Sequence, residues 1–231
     1  MFTSARAVTV AVALGVAIGA CGGAQGNTVT QLTRAKSLLD AASSAHFMLS
    51  SSGARSDSSV TLLGGTGDIQ RPDGFSGTLT IVISGFTTTV DAASTHGTFY
   101  IRNPLDNQFE TADPTQYGFA DPAKLMAPTT GLSSLLLKCS DVSEQGDDRL
   151  AGQLLHELSC SLPGSAVQAL LTDAAPDQTV SAKVGVVADS GELRRVVLTG
   201  PFYSSSTSTT FTLVVDNYGE NVTITPPATG S

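Results

Sequence analysis

His46, His96 and His156 are the only histidines, and so the obvious general bases for chemistry near neutral pH. Hydrolysis would need one of them beside a nucleophile and an orienting carboxylate. The surrounding residues do not supply that frame. Gly131-Leu132-Ser133-Ser134-Leu135 lacks the second glycine of a nucleophile elbow and follows no clear strand pattern. His156-Glu157 opens like a zinc-protease helix but continues Leu158-Ser159-Cys160, with no second histidine one turn on. Gly64-Gly65-Thr66-Gly67 has no Lys-Ser/Thr behind it to cradle a phosphate. His46 and His156 fall in amphipathic stretches and read as hydrogen-bonded structural residues. Asp147-Asp148 and Asp106-Asn107 read as solvated turn acids. The pattern argues against an enzyme and calls for no cofactor and no metal.

The cysteines carry a different chemistry. Arg6 is the only charge in the first twenty residues, followed by the uncharged run Ala7 to Ala20, too short to span a bilayer, which needs roughly 20 residues. The run ends Ile18-Gly19-Ala20-Cys21, which resembles the bacterial lipobox: a branched apolar residue and two small ones before a thiol that takes a diacylglycerol thioether. Residues 1–20 are therefore expected to be a lipoprotein signal peptide, with Cys21 the lipidated first residue of the mature chain. Several acyl chains on one residue anchor firmly, since each buried methylene contributes about 0.8 kcal/mol. The expected location is the extracytoplasmic face of the cell membrane. Cys139 and Cys160 remain, an even number in an exported chain, and a disulfide between them is the natural inference. A metal site using His156 and Cys160 would lack the four convergent ligands of structural zinc.

Of the 231 residues, 41% are hydrophobic and 14% charged, too apolar for a chain disordered throughout and enough for one domain with a core. The net charge of -8 excludes nucleic acid as a natural partner, because phosphate binding needs a basic surface. Residues 21–29 read as a tether, 30–225 as a single domain and 226–231 as a tail.

From Thr30 the apolar positions Leu32, Ala35, Leu39, Ala42 and Ala45 recur every three or four residues and predict a helix ending near Ser44. Strands follow. Alternation predicts Thr78 to Ile83 after an Arg71-Pro72-Asp73-Gly74 turn, then Thr87 to Ala92 and Thr98 to Arg102. Four prolines between Pro104 and Pro128 interrupt regular structure before a short helix at Thr130 to Lys138. A hairpin of Asp141 to Gln145 and Gln153 to Leu162 is predicted to turn through Gly146 to Arg149. Pro163 opens a helix through Ala166, Val167, Leu170 and Leu171. Four strands close the chain: Val180 to Val187, Leu193 to Thr199, Thr209 to Val215 and Asn221 to Thr225, the middle two separated by Gly200-Pro201. Strands with a few separate helices mean α+β with an antiparallel sheet.

This order of elements resembles the mycobacterial LprG/LppX/LprA/LprF family of lipoproteins across nearly the whole mature chain. The resemblance is carried by Leu38 to His46, Gly67-Asp68, the Thr130 to Leu136 helix and the terminal Val222-Thr223-Ile224-Thr225-Pro226-Pro227. It implies a strongly curved antiparallel sheet, a half-barrel, with helices on the concave side around an apolar cavity that holds acyl chains. The candidate cavity-lining residues are Leu79, Ile81, Ile83, Phe99, Ile101, Leu135, Leu136, Val184, Val186, Val196, Leu198, Phe211, Leu213 and Val215. Periodicity alone favours ordinary core for any one of them, because it reports burial and not what fills the space; the resemblance favours the cavity for the group.

The expected function is a membrane-anchored carrier of a lipid or glycolipid with several acyl chains. The alternative is an envelope lipoprotein that binds a transporter or sensor protein and carries no cargo. Cavity volume separates them: well above about 1,000 Å³, the upper range of small-molecule sites, favours the carrier, and a close-packed interior favours the interaction module.

Overall fold

A computed structural model describes residues 23–54, 60–204 and 207–229. The calls for a signal peptide over 1–20 and for lipidation of Cys21 lie outside the described residues.

Eleven strands form one antiparallel sheet: β1 Ser44–Ser52, β2 Val60–Gln70, β3 Gly74–Ile83, β4 Phe86–Thr95, β5 Thr98–Arg102, β6 Phe109–Ala112, β7 Ser140–Leu150, β8 Gln153–Pro163, β9 Thr179–Val187, β10 Leu193–Ser204 and β11 Thr207–Asp216. Their order, β6-β5-β4-β3-β2-β1-β11-β10-β9-β8-β7, is two meanders joined where β1 pairs β11. The helices α1 Gly23–Ala41, α2 Leu132–Leu136 and α3 Gly164–Val167, with 3₁₀ turns at Pro114–Tyr117 and Pro122–Met126, complete the fold.

Because side chains alternate across a strand, register fixes which residues share a face. One row crosses eight strands: Val90, Leu79, Gly65, Leu49, Leu213, Val196, Val184 and Leu158 stand opposite one another in turn. A second runs Ile101, Ala92, Gly77, Gly67, Phe47, Val215. These rows form the inner face, where the core cluster lies. The adjacent outer row is polar over much of its length: Asp91, Thr78, Thr66, Met48, Val214, Arg195, Gly185, Glu157.

Helix α1 begins at Gly23, seven residues before the expected start and within the stretch read as a tether, and stops at Ala41. It buries Thr28, Leu32, Ala35 and Leu39, and packs on α2, β7, β9 and β10. Arg71 caps its end, donating from Nε to the Ala42 carbonyl (2.8 Å) and from Nη2 to the Leu39 carbonyl (3.2 Å), which supplies donors to carbonyls a helix end leaves open.

The strongly curved half-barrel is not what the structure shows; the sheet is open and not strongly curled. Its edge strands, β6 and β7, stand at opposite ends of the strand order. β7 is protected by exposed charges at Asp141, Glu144, Asp147, Asp148 and Arg149, so that edge is kept from pairing by charge instead of by closure. Two turns also move. β7 continues through Gly146 to Arg149 with irregular register, and the hairpin closes at Ala151-Gly152, both at positive φ (49° and 84°). Gly200-Pro201 lies inside β10. Residues 221–225 form no strand; the Ile224 amide bonds the Gln70 side chain (3.2 Å), and Pro226-Pro227 would deprive a ladder of donors. The helix after Pro163 spans only Gly164–Val167.

Candidate functional site

Five central strands present one apolar surface. Phe47 and Leu49 come from β1, Leu62 from β2, Phe75 and Leu79 from β3, Val196 and Leu198 from β10, and Phe211 and Leu213 from β11. The cover is supplied by Phe119, Pro122 and Leu125 in the proline-broken segment, Leu132 in α2, and Leu170 and Leu171 after α3. Between surface and cover lies an apolar cleft. The centre of a water molecule can move through about 100 Å³ of it, and the empty space counted out through the open mouth is about 860 Å³. That is below the volume set above for a carrier of several chains, although the interior is not solid.

The floor of the cleft is made by small residues. Gly65 and Gly67 line it, with Gly77 opposite Gly67 and Ala92 opposite Gly77. The Gly64-Gly65-Thr66-Gly67 run is thus the middle of a strand.

Five of the fourteen residues expected to line a cavity do line the cleft: Leu79, Val196, Leu198, Phe211 and Leu213. The other nine do not. Ile81, Phe99, Ile101, Leu135, Leu136, Val184 and Val215 are buried in the core, and Ile83 is half-buried at the β3 end. Val186, also buried, borders a second, more polar hollow with Gln31, Arg34, His156 and Asp189. All of these share in burial, but the cover segments reach only the central strands. Phe47, Leu49 and Phe75 were legible as alternating apolar positions. Phe119 and Leu125 carry no periodic signal, and Leu170 and Leu171 fall on the helical stripe expected after Pro163 although the helix ends at Val167.

Polar groups pack behind the lining residues. Tyr203 packs its ring on Phe211 (centroids 6.0 Å apart) and donates its hydroxyl to the Leu62 carbonyl (2.9 Å). Burial, reinforced by the nearby Asp173 charge, pushes the Tyr203 phenol well above its ordinary value. The Asp173 carboxyl is itself raised by burial. The two cover segments are tied together by two backbone bonds, Ala120 N–H to the Leu170 carbonyl and Thr172 N–H to the Gly118 carbonyl, each 3.0 Å.

On the outer face His46 Nδ1 donates to Asp68 Oδ1 (2.7 Å), and Nε2 accepts from the Thr66 hydroxyl (3.0 Å). This is the order hydroxyl, imidazole, carboxylate. It lacks the donors a hydrolase needs: Thr66 sits mid-strand with β1 and β3 laddered on either side, so backbone amides there are not gathered into an oxyanion hole. His156 Nδ1 likewise bonds Asp147 Oδ1 (2.7 Å). Cys139 and Cys160 form a disulfide with Cα atoms 5.4 Å apart, tying the end of α2 to β8. Among the described residues, no group of three or more His, Cys, Asp or Glu could hold a metal ion, and no helix is long and apolar enough to cross a membrane.

A protein-family model described as LppX_LprAFG lipoprotein matches residues 27–224. The crystal structure of LprF from Mycobacterium bovis superposes with a TM-score of 0.72 at 14% identity, over 90% of this chain and 100% of that one. That of the Mycobacterium tuberculosis lipoprotein LppX gives a TM-score of 0.63 at 15% identity, over 87% and 99% of the two chains. At such identities these likenesses establish the fold alone. No curated protein matches the sequence.

Proposed function

The chain belongs to the LppX_LprAFG lipoprotein family, and from that membership together with the cleft we propose that it binds a lipid by burying an acyl chain between the central strands and their cover. The observation that carries this is the lining: aromatic and aliphatic side chains from five strands and three cover segments converge on one open-mouthed space with a glycine floor. At roughly 30 Å³ per methylene, about the volume of a water molecule in the liquid, a chain of about sixteen carbons needs on the order of 500 Å³. The cleft reaches about 860 Å³ only when the open solvent at its mouth is counted, so in this conformation it takes part of one such chain. Cargo with several chains requires the cover to move away from the sheet. Burial of about 300 Å² of apolar surface supplies roughly 7 kcal/mol before the costs of association, with no catalytic group involved.

Lipidation at Cys21 would hold the protein on the extracytoplasmic face of the membrane, where it takes up lipid or glycolipid and passes it across the envelope.

The test is to purify the chain from residue 22 onward without its lipid anchor, extract bound lipid for mass spectrometry, and titrate the extracted protein with a fluorescent acyl probe. Lipid in the extract, or saturable uptake of one probe per chain, is expected. A lipid-free preparation that takes up no probe overturns the proposal.

The modest volume of the cleft favours one alternative, an interaction module. Phe86 and Leu105, 78% and 94% exposed, stand at the tips of the β3–β4 and β5–β6 hairpins, where a partner protein of the envelope would meet them. Loss of partner binding on Phe86→Ser, with probe uptake absent in the wild type, would select this reading.

A further inference from the structure

One row of the inner face carries a polar side chain among apolar ones. Phe99, Ser94, Phe75, Ile69 and Ala45 stand opposite one another in turn across β5, β4, β3, β2 and β1. All five are buried, Ser94 completely. A hydroxyl in such a row is unfavourable unless it is hydrogen-bonded. Ser94 Oγ donates to Asp121 Oδ2 (2.9 Å), and Asp121 belongs to the cover: it lines the cleft, and its Oδ1 accepts the Ala123 amide (3.0 Å) to cap the 3₁₀ turn Pro122–Met126. Among the described residues this is the only hydrogen bond between the strands and residues 118–126 or 170–172. The rest of the attachment is apolar, including Phe119 set edge-on to Phe99 with ring centroids 5.9 Å apart.

The two cover segments form one body, since the Ala120 and Thr172 amides bond the Leu170 and Gly118 carbonyls across them. Its flanks are fixed: Lys36 Nζ donates to the Pro128 carbonyl (2.8 Å) on one side, and the Gly164 amide donates to the Gln178 carbonyl (2.7 Å) on the other. In the closed arrangement the cleft takes only part of a chain, so a whole chain enters or leaves when this body moves. An apolar contact resists that motion in proportion to the area it exposes. A hydrogen bond acts differently. It is lost over a short displacement, and water takes over both groups once they part, so its net contribution is small and confined to the closed position. We propose that Ser94 and Asp121 form the latch of a lid: residues 118–126 and 170–172 open together to admit and release the chain, and this bond holds them shut in one position. This rests on the acyl-binding reading above and adds to it how the site is opened.

The experiment pairs stopped-flow uptake and release of a fluorescent acyl probe with amide hydrogen exchange, on the chain from residue 22 onward and on its Ser94→Ala and Asp121→Asn variants. The latch holds the lid in the empty and the loaded protein alike. Ser94→Ala is therefore expected to raise uptake and release rates together by about fivefold, equivalent to about 1 kcal/mol, with probe affinity within about twofold of wild type. Amide exchange should quicken in 118–126 and in 170–172 alike and stay unchanged in β8 and β9. Asp121→Asn keeps an acceptor for Ser94 and for the Ala123 amide, so its rates should stay within about twofold of wild type. Rates unmoved by Ser94→Ala, a loss of affinity with no gain in rate, or faster exchange spread over β8 and β9 overturns the latch and leaves the acyl site standing. Faster exchange in only one of the two cover segments also overturns it, because the lid would not move as one body. So does an Asp121→Asn variant as fast as Ser94→Ala, which would mean that the charge holds the cover and the bond does not. If the wild type takes up no probe, the acyl reading fails by itself, and amide exchange alone then decides whether the lid exists.

Discussion

The ring of Phe75 lies over Gly67: a methyl group on Gly67 would come within 2.7 Å of Phe75 Cε2 and 2.9 Å of the Gly77 Cα across the ladder. The depth of the cleft depends on this contact, because the ring occupies space that a side chain on β2 would otherwise fill. Gly67→Ala should therefore push Phe75 into the cleft and strain the β2–β3 pairing. Such overpacking typically costs about 1–3 kcal/mol. Acyl-probe affinity should fall at least about tenfold, and urea denaturation should show the destabilisation. Phe75→Leu in the same chain should recover part of both; if it recovers neither, the floor is not what limits the site.

Lining and core residues should separate in measurement. Leu49 is half-buried and borders the cleft, so Leu49→Trp should block probe uptake with a stability change under about 1.5 kcal/mol. Leu136, 3% exposed, lies in the core away from the cleft. Leu136→Ala should cost about 2–5 kcal/mol and leave probe affinity in the surviving folded fraction unchanged. The opposite assignment of the two effects would show that the acyl site lies elsewhere.

On the outer face, Arg195 Nη2 reaches both Asp148 Oδ2 (2.5 Å) and Glu157 Oε1 (2.7 Å), and the Glu157 side chain is only 10% exposed. Arg195→Met leaves that carboxylate without its cation, which should cost about 3 kcal/mol at pH 7, while adding Glu157→Leu should restore most of it. The hydrogen bond from Arg195 is the leading cause holding the Asp148 carboxyl below its ordinary value of 3.8. Stability from a depressed carboxyl is present above that ordinary value and lost as pH falls through the lower, folded one. The gap between wild type and Arg195→Met should narrow in denaturation curves taken below about pH 4.

The Cys139–Cys160 bridge closes a loop between residues 21 apart. In the chain-entropy model such a loop contributes about 3 kcal/mol. The Cys139→Ser/Cys160→Ser pair should lower the urea midpoint accordingly, and reductant should move the wild type to the same value. A midpoint indifferent to reductant would mean that the bridge does not form.

Much of the sheet is legible because its physics is local. Leu79, Ile81 and Ile83 alternate with polar residues, and β3 forms there; β4, β5, β8, β9 and β10 follow from similar stretches, whereas β1, β2 and β6 form where no strand is predicted. What was not legible depends on distant segments. Val184 and Val196 are direct neighbours on one row, yet only Val196 meets the cleft, because the cover stops between them. That cover is Phe119 to Leu125, built from Pro-broken turns without period, with Leu132 of α2 and with Leu170-Leu171, which lie beyond the end of the helix expected to include them. The glycines of β2 gave that strand no signal because glycine is a poor strand former, and at Gly67 the absent side chain leaves room for the Phe75 ring. Sheet curvature lies further out of reach, since no single residue encodes it.

Asp173 also offers a test in stability alone. Burial raises its carboxyl above the ordinary value of 3.8, so the folded protein holds this proton to a higher pH than the unfolded chain does. The folded state then pays nothing for Asp173 below that value, loses stability as pH rises through the window, and bears the full penalty above the folded value. Asp173→Asn removes the charge and should raise Tm at pH 7 while leaving it unchanged near pH 3. Because the carboxylate is partly exposed, solvent screening keeps the gain small, about 1–2 °C for a domain of this size. A variant that is less stable than wild type at pH 7 would show that the carboxylate already has a favourable partner inside the protein.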